Sequence, residues 1–342
     1  MRKLILLTTL AGLFNMQTNS QAQNPYYVGP QSPYYVGLIG GYGFPSGVQQ
    51  LNNYNFGWNG IYNISSTYAG SYTYNQNTAT GQTSSASNPI SQSFSLGSGT
   101  TIGMYSGYML TKNIGLELGI SNKFSSSTSA TQNLTENYVT GPNTVSDVYV
   151  YTYTLTSGNA ISLTPSIRLT TDYGYFHPYM VTGLIIGFPP SVTMENSAIA
   201  TGQISGIALT PIYSLDEITT YSGGMMYGYH GAIGVSYDLI NNISISGEIF
   251  GNFMNWAPKK SLITTLTYNG IDSLPYKTTS YKQTNYVASP SNSGVGNGNT
   301  ATSSSPGTPT QSTYIYMPFS SFGIRIAIHI ILGAGKVASP PK

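Results

Sequence analysis

The chain of 342 residues contains no cysteine, so neither a disulfide framework nor a thiolate metal site can be built. Charge is also scarce. Twelve basic and ten acidic residues make up 6% of the chain, about a quarter of the usual share. No run of eighteen apolar residues occurs, which excludes a transmembrane helix. No glycine-rich phosphate loop leads into a helical pattern, so nucleotide binding is not expected. Long unbranched helix formers such as Glu, Lys and Gln are few. In their place stand 30 tyrosines, 39 glycines and much Ser, Thr and Asn, a composition suited to strands and turns.

The first residues follow the pattern of an export signal. Arg2 and Lys3 give a charged start and Leu4 to Phe14 an apolar segment too short to span a bilayer as a helix. Ser20-Gln21-Ala22 then offers small residues for cleavage. A signal peptide is therefore expected over residues 1–22. Its loss removes two of the twelve basic residues, leaving ten against ten acidic. A mature chain so near neutrality argues against nucleic acid as a partner.

Eight segments alternate between apolar and small or polar residues: Val36–Phe44, Thr100–Leu110, Ile114–Phe124, Ala160–Thr170, Phe176–Phe188, Met226–Leu239, Asn242–Asn255 and about Met317–Leu332. Short turns follow the second, fourth and sixth. Long connections, near 45–99, 125–159, 189–225 and 256–316, follow the first, third, fifth and seventh. Compact domains rarely tolerate four connections longer than about 12–15 residues. A transmembrane barrel with short periplasmic turns and long outer loops requires this rhythm. The expected fold is all-β: an eight-stranded antiparallel up-and-down barrel over 36–332. A periplasmic tail over 23–35 precedes it and another over 333–342 follows it. Ser289–Ser312 and Thr78–Ser93, low in apolar residues, are expected to lack fixed structure.

The charges obey the alternation. In "FGIRIAIHI", Phe322, Ile324, Ile326, Ile328 and Ile330 share one face, and Arg325 and His329 lie on the other. Glu117, Arg168, His230 and Glu248 likewise stand opposite the apolar faces of their strands. A basic side chain facing lipid at mid-depth costs about 2–4 kcal/mol, so the apolar faces belong to lipid and the charges to the interior. Eight strands enclose just enough room for side chains to fill. Glu117, Arg168, Glu248 and Arg325 are therefore expected to form a luminal ion-pair network, with His230 and His329 beside it. Tyr108, Phe176 and Tyr237 near the short turns, and Phe188, Phe253 and Trp256 at the opposite ends, are expected to form two aromatic girdles. Lys259 and Lys260 lie at the expected outer rim, either in reach of lipopolysaccharide phosphates or simply solvated.

With "YYVGLIGGYGF" as first strand, "IGMYSGYMLTKNIGLELGI" as a hairpin and "FGIRIAIHIIL" at the end, the chain resembles small outer-membrane β-barrels of the OmpA, OmpX and opacity-protein type. The resemblance covers the strands, less than half of the chain. It implies the outer membrane of a Gram-negative bacterium, with loops extracellular and both termini periplasmic. The three histidines show no metal-ligand spacing and no nucleophile stands out, so neither an enzyme nor a cofactor or metal is expected. Function in such folds sits on the loops. The expected role is structural or adhesin-like, with outer-membrane lipid, lipopolysaccharide and host or neighbouring-cell molecules as partners. Two alternatives remain: a narrow channel for small solutes, and a soluble secreted β-sandwich binding module.

Overall fold

The computed structural model describes residues 34–46, 49–50, 69–77, 83–90, 93–140, 143–171, 175–188, 191–204, 207–240, 242–289 and 307–332. The expected signal peptide and C-terminal tail lie outside these residues. So do most of the N-terminal tail and most of Ser289–Ser312.

Eight strands alternate small or polar residues with apolar ones, and each follows the previous in the sheet. They are β1 (Tyr34–Pro45), β2 (Gly99–Met109), β3 (Ile114–Lys123), β4 (Ala160–Thr170), β5 (Phe176–Phe188), β6 (Met226–Ile240), β7 (Ile243–Trp256) and β8 (Ser321–Ile331). All pairings are antiparallel, and β8 returns to pair with β1 from Pro45↔Ser321 to Tyr35↔Ile331. The ring is closed. A soluble sandwich of two facing sheets is thereby overturned, because a sandwich leaves edge strands and this ring has none.

Tight turns close the proximal end of the barrel. Between β2 and β3 the Thr111 hydroxyl accepts from the backbone N–H of Asn113 and Ile114, at 3.2 and 3.0 Å. At the same end the Leu332 N–H donates to the Tyr34 carbonyl at 2.9 Å, so the barrel starts and finishes there. Pro165, which cannot donate to a ladder, lies inside β4. It stays in register with Leu118 of β3, while Thr164 and Pro165 drop out of the ladder to β5. The register resumes unchanged at Ser166↔Gly183, so the proline costs local bonds but shifts nothing.

The distal end differs from expectation. The long connections are not simple loops, because five of the barrel strands continue into a second sheet of ten strands. Ser126–Thr140 follows β3, Asn143–Ser157 precedes β4, Val192–Ile204 follows β5, Ile207–Ser222 precedes β6, and Lys260–Tyr268 follows β7. They pair in the same order as the strands they extend, so the barrel wall is carried outward on one side. The wall breaks at one level, and the breakers are legible. Gly158 lies before β4, and Pro258 follows β7. Gly223 and Gly224 precede β6 with φ of 77° and 80°, a conformation that disfavours any side chain. Within Thr78–Ser93, expected to lack structure, residues Thr83–Ile90 form an edge strand against Ala69–Asn77.

Candidate functional site

The outer surface of the barrel is a continuous apolar band. Leu38, Ile102, Leu118, Ile167, Leu184, Ile233, Ile249 and Ile326, one from each strand in turn, are all exposed. On β7 the band runs from Ile243 to Phe253, about 33 Å along the strand and about 25 Å in height once the strand tilt is allowed for, the height of a barrel's apolar band. Aromatics edge it. The Tyr34 ring lies tilted against Tyr108 at 4.8 Å, and Phe176 against Tyr237 at 5.0 Å, at the proximal edge. Phe44, Phe188, Phe253 and Phe322 are exposed at the distal edge.

Trp256 does not join them. It is 0% exposed, its indole N–H donates to the Gly223 carbonyl at 2.9 Å, and it meets Phe319 edge-on. The reason is parity. Trp256 shares the inward phase of Glu248, Phe250 and Met254, not the outward phase of Ile249 and Phe253.

Inside, large side chains lie over glycines of the next strand. A Cβ on Gly37 would stand 2.2 Å from the Tyr105 ring, and one on Gly107 would stand 2.1 Å from the Tyr35 ring. These glycines give the rings their space. Between the rings sit two ion pairs. Arg168 Nη1 meets Glu117 Oε1 at 2.9 Å, and the same oxygen accepts from the Tyr35 hydroxyl at 2.8 Å. Arg325 Nη1 meets Glu248 Oε1 at 3.3 Å, and Glu248 Oε2 accepts from the Tyr179 hydroxyl at 3.1 Å. Tyr179 joins the pairs, because the Arg168 guanidinium lies over its ring at 3.7 Å. Arg325 covers the Phe250 ring at 3.9 Å.

Both luminal histidines have partners. His230 Nδ1 bonds to Asn252 Oδ1 at 2.7 Å, which makes that nitrogen the donor. It therefore cannot accept from Arg325 Nη2, 3.4 Å away. His329 bonds through Nε2 to the Ser246 hydroxyl at 2.6 Å, and the Tyr105 hydroxyl bonds to its ring. A cavity of about 70 Å³ remains among these groups, lined by Glu117, Arg168, His230, Glu248 and Arg325.

Above this polar layer the distal mouth is filled by apolar side chains that sequence reasoning missed. Leu96, Met226, Trp256, Met317 and Phe319 are each 1% exposed or less, and Ile185, Val192, Met194 and Met254 pack with them. Leu96, Met317 and Phe319 come from the ends of the long connections. The Leu96 N–H donates to the Pro318 carbonyl at 2.9 Å, and the Phe319 N–H to the Met254 carbonyl at 3.0 Å. Lys123 ties the plug down. Its ammonium donates to the hydroxyls of Ser126 and Ser157, at 3.0 and 3.1 Å, and to the Phe124 carbonyl at 3.2 Å. Ser126 in turn donates to the Leu96 carbonyl at 3.1 Å.

Lys259 and Lys260 stand above the band where the wall breaks. Lys259 is exposed and Lys260 half-buried. Farther out, Glu217 lies on the inner side of the second sheet. Its carboxylate accepts from Thr219 at 3.2 Å and from Asn196 at 3.5 Å. Burial holds that carboxyl above the usual carboxylate range, against the opposing pull of those two hydrogen bonds.

No protein-family model and no curated protein matches the sequence. Among solved structures, the chain is similar to the outer membrane protein OprG from Pseudomonas aeruginosa. The identity is 11% and the TM-score 0.30, over 87% of this chain and 96% of that one. The chain's own closed strand ladder, not that likeness, fixes the fold.

Proposed function

We propose that this chain is an integral outer-membrane barrel whose lumen is sealed and whose distal sheet is its working surface. The observation that carries the reading is the stopper at the distal mouth. Five side chains at 1% exposure or less close it above a lumen already filled by two ion pairs and their aromatic neighbours. A barrel built so anchors something; it does not conduct. The short-turn end then faces the periplasm. The second sheet, rich in Thr, Ser, Asn and Tyr, stands outside as the surface for contact with neighbouring cells or host molecules. Tyrosine among small polar residues suits adaptable protein contacts.

A narrow channel is the second reading, and the polar cavity between the ion pairs favours it. Planar-bilayer recording of the folded protein separates the two. The anchor reading expects no resolved conductance steps. Reproducible steps from the unmodified protein would overturn it in favour of the channel. Orientation is tested by an epitope inserted at the Asn269–Gly270 turn, at the tip of the Lys260–Tyr268 hairpin. An antibody should label it on intact cells, and labelling only after lysis would reverse the topology.

A further inference from the structure

The described lysines of the distal half, apart from the buried Lys123, all fall within residues 259–282: Lys259, Lys260, Lys277 and Lys282. The first two occupy a particular place. On β7 the last band residue is Phe253, and Asn255 then marks the end of the apolar face. Lys259 and Lys260 follow within one short turn. Alternation puts Ser261 inward, where its hydroxyl accepts from the Tyr286 hydroxyl at 3.1 Å, and so directs Lys260 outward.

The backbone beneath them is fixed. The Lys259 N–H donates to the Ser222 carbonyl at 3.0 Å, and its own carbonyl accepts from the Tyr286 N–H at 2.8 Å. Trp256 holds Gly223 from below, and the Lys259 Cβ lies 3.2 Å from where a Cβ on Gly223 would stand. An exposed lysine and a half-buried one are thus neighbours on a rigid corner just above a hydrocarbon-height band. Among the described residues neither lysine is ion-paired. The exposed carboxylates of this wall stand farther out. Glu195 pairs with Ile218 and Asp216 with Thr267, four and six residues beyond Ser222, the partner of Lys260. The level nearest the band is therefore cationic and the level beyond it carries the acids.

We propose that Lys259 and Lys260 form a phosphate-binding site for the phosphorylated glycolipid of the outer leaflet, lipopolysaccharide. The acyl chains of the lipid would lie on the band below and its phosphates between the two ammonium groups. This rests on the outer-membrane reading above. Lysine near an anionic lipid surface contributes about five-fold in affinity per residue.

The test compares the unmodified chain with Lys259→Gln/Lys260→Gln and Lys259→Arg/Lys260→Arg, all folded in neutral detergent. The readout is the midpoint temperature of the heat-dependent gel shift as diphosphoryl lipid A is added. Lipid A should raise the midpoint of the unmodified chain and of the Arg pair. The Gln pair should need about 30-fold more lipid for the same rise. Its midpoint without lipid should be unchanged, since neither side chain holds the fold. An equal response in the Gln pair would overturn the site. So would a rise produced by inorganic phosphate alone, which would mean a free-anion site. Failure of the outer-membrane reading looks different: no protein, variant or not, would give a heat-dependent shift in detergent.

Discussion

Arg168→Met tests whether the lumen is dry. Arg168 and Glu117 are each less than a tenth exposed and 2.9 Å apart. At an effective dielectric of about 20, charges at that distance attract by roughly 6 kcal/mol. Methionine keeps much of the bulk but leaves the Glu117 carboxylate with one donor, the Tyr35 hydroxyl. It also removes a cation from the Tyr179 ring face. The expected loss is about 3–5 kcal/mol, most of it the cost of a buried charge left uncompensated. With a urea dependence of about 1–3 kcal/mol per molar, the unfolding midpoint in lipid vesicles should fall by roughly 1–5 M. Arg168→Met with Glu117→Gln removes both charges, while Tyr35 can still donate to the amide oxygen. That double variant should recover to within about 2 kcal/mol of the unmodified protein. A single variant costing under about 1 kcal/mol would refute the argument. It would mean that water reaches and screens the pair, and the lumen would be a solvated path rather than a filled core.

Further expectations follow from the same geometry. Ile326, 63% exposed at mid-band, should tolerate Leu but lose about 2–4 kcal/mol as Ile326→Lys, measured by urea unfolding from vesicles. Gly107→Val should lose about 1–3 kcal/mol or more in the same assay, because its side chain must displace the Tyr35 ring. Glu117→Ala with Arg325→Ala should remain silent in bilayer recordings, since the apolar mouth above them is untouched; conductance from this pair alone would show that the mouth is open. Glu217 has a folded-state pKa above its unfolded value, so its contribution favours the fold while protonated and is lost as pH rises past the ordinary carboxylate range. Amide exchange in Val192–Ile204 and residues 214–222 should therefore be slower at pH 5 than at pH 7.5 after correction for intrinsic rates. Glu217→Gln should remove that difference.

The barrel strands were legible because each has a different solvent on its two faces. The expected Ala160–Thr170 and Phe176–Phe188 coincide with β4 and β5, and most other ends agree within a residue or two. The eighth is interrupted: Met317 and Pro318 pair with Trp256 and Asn255 of β7 in the register that β8 resumes at Ser321, while the Met317 and Phe319 side chains fill the plug. The placement of Trp256 was also available in the sequence. Its even number puts it in phase with Glu248, whereas its chemistry alone points to a girdle. Hydrophobicity says that a tryptophan avoids water; only alternation says which side it takes.

The distal sheet was hidden for the opposite reason. In Ala198, Ile199 and Ala200 of one strand, and in Leu262, Ile263 and Leu266 of another, apolar residues fall on both faces among threonines. A strand without a lipid face has no need to keep one side apolar, so the period-two signal fades although the backbone ladder persists. What remained in the sequence was β-propensity, the Tyr and Thr alternation of "VYVYTYTLT" preceding β4. The change marks where the strand leaves hydrocarbon, not where it stops being a strand. Lys259 and Lys260 lie at that change just beyond β7, so the lipid phosphate proposed for them follows from the level of the band more than from the local sequence.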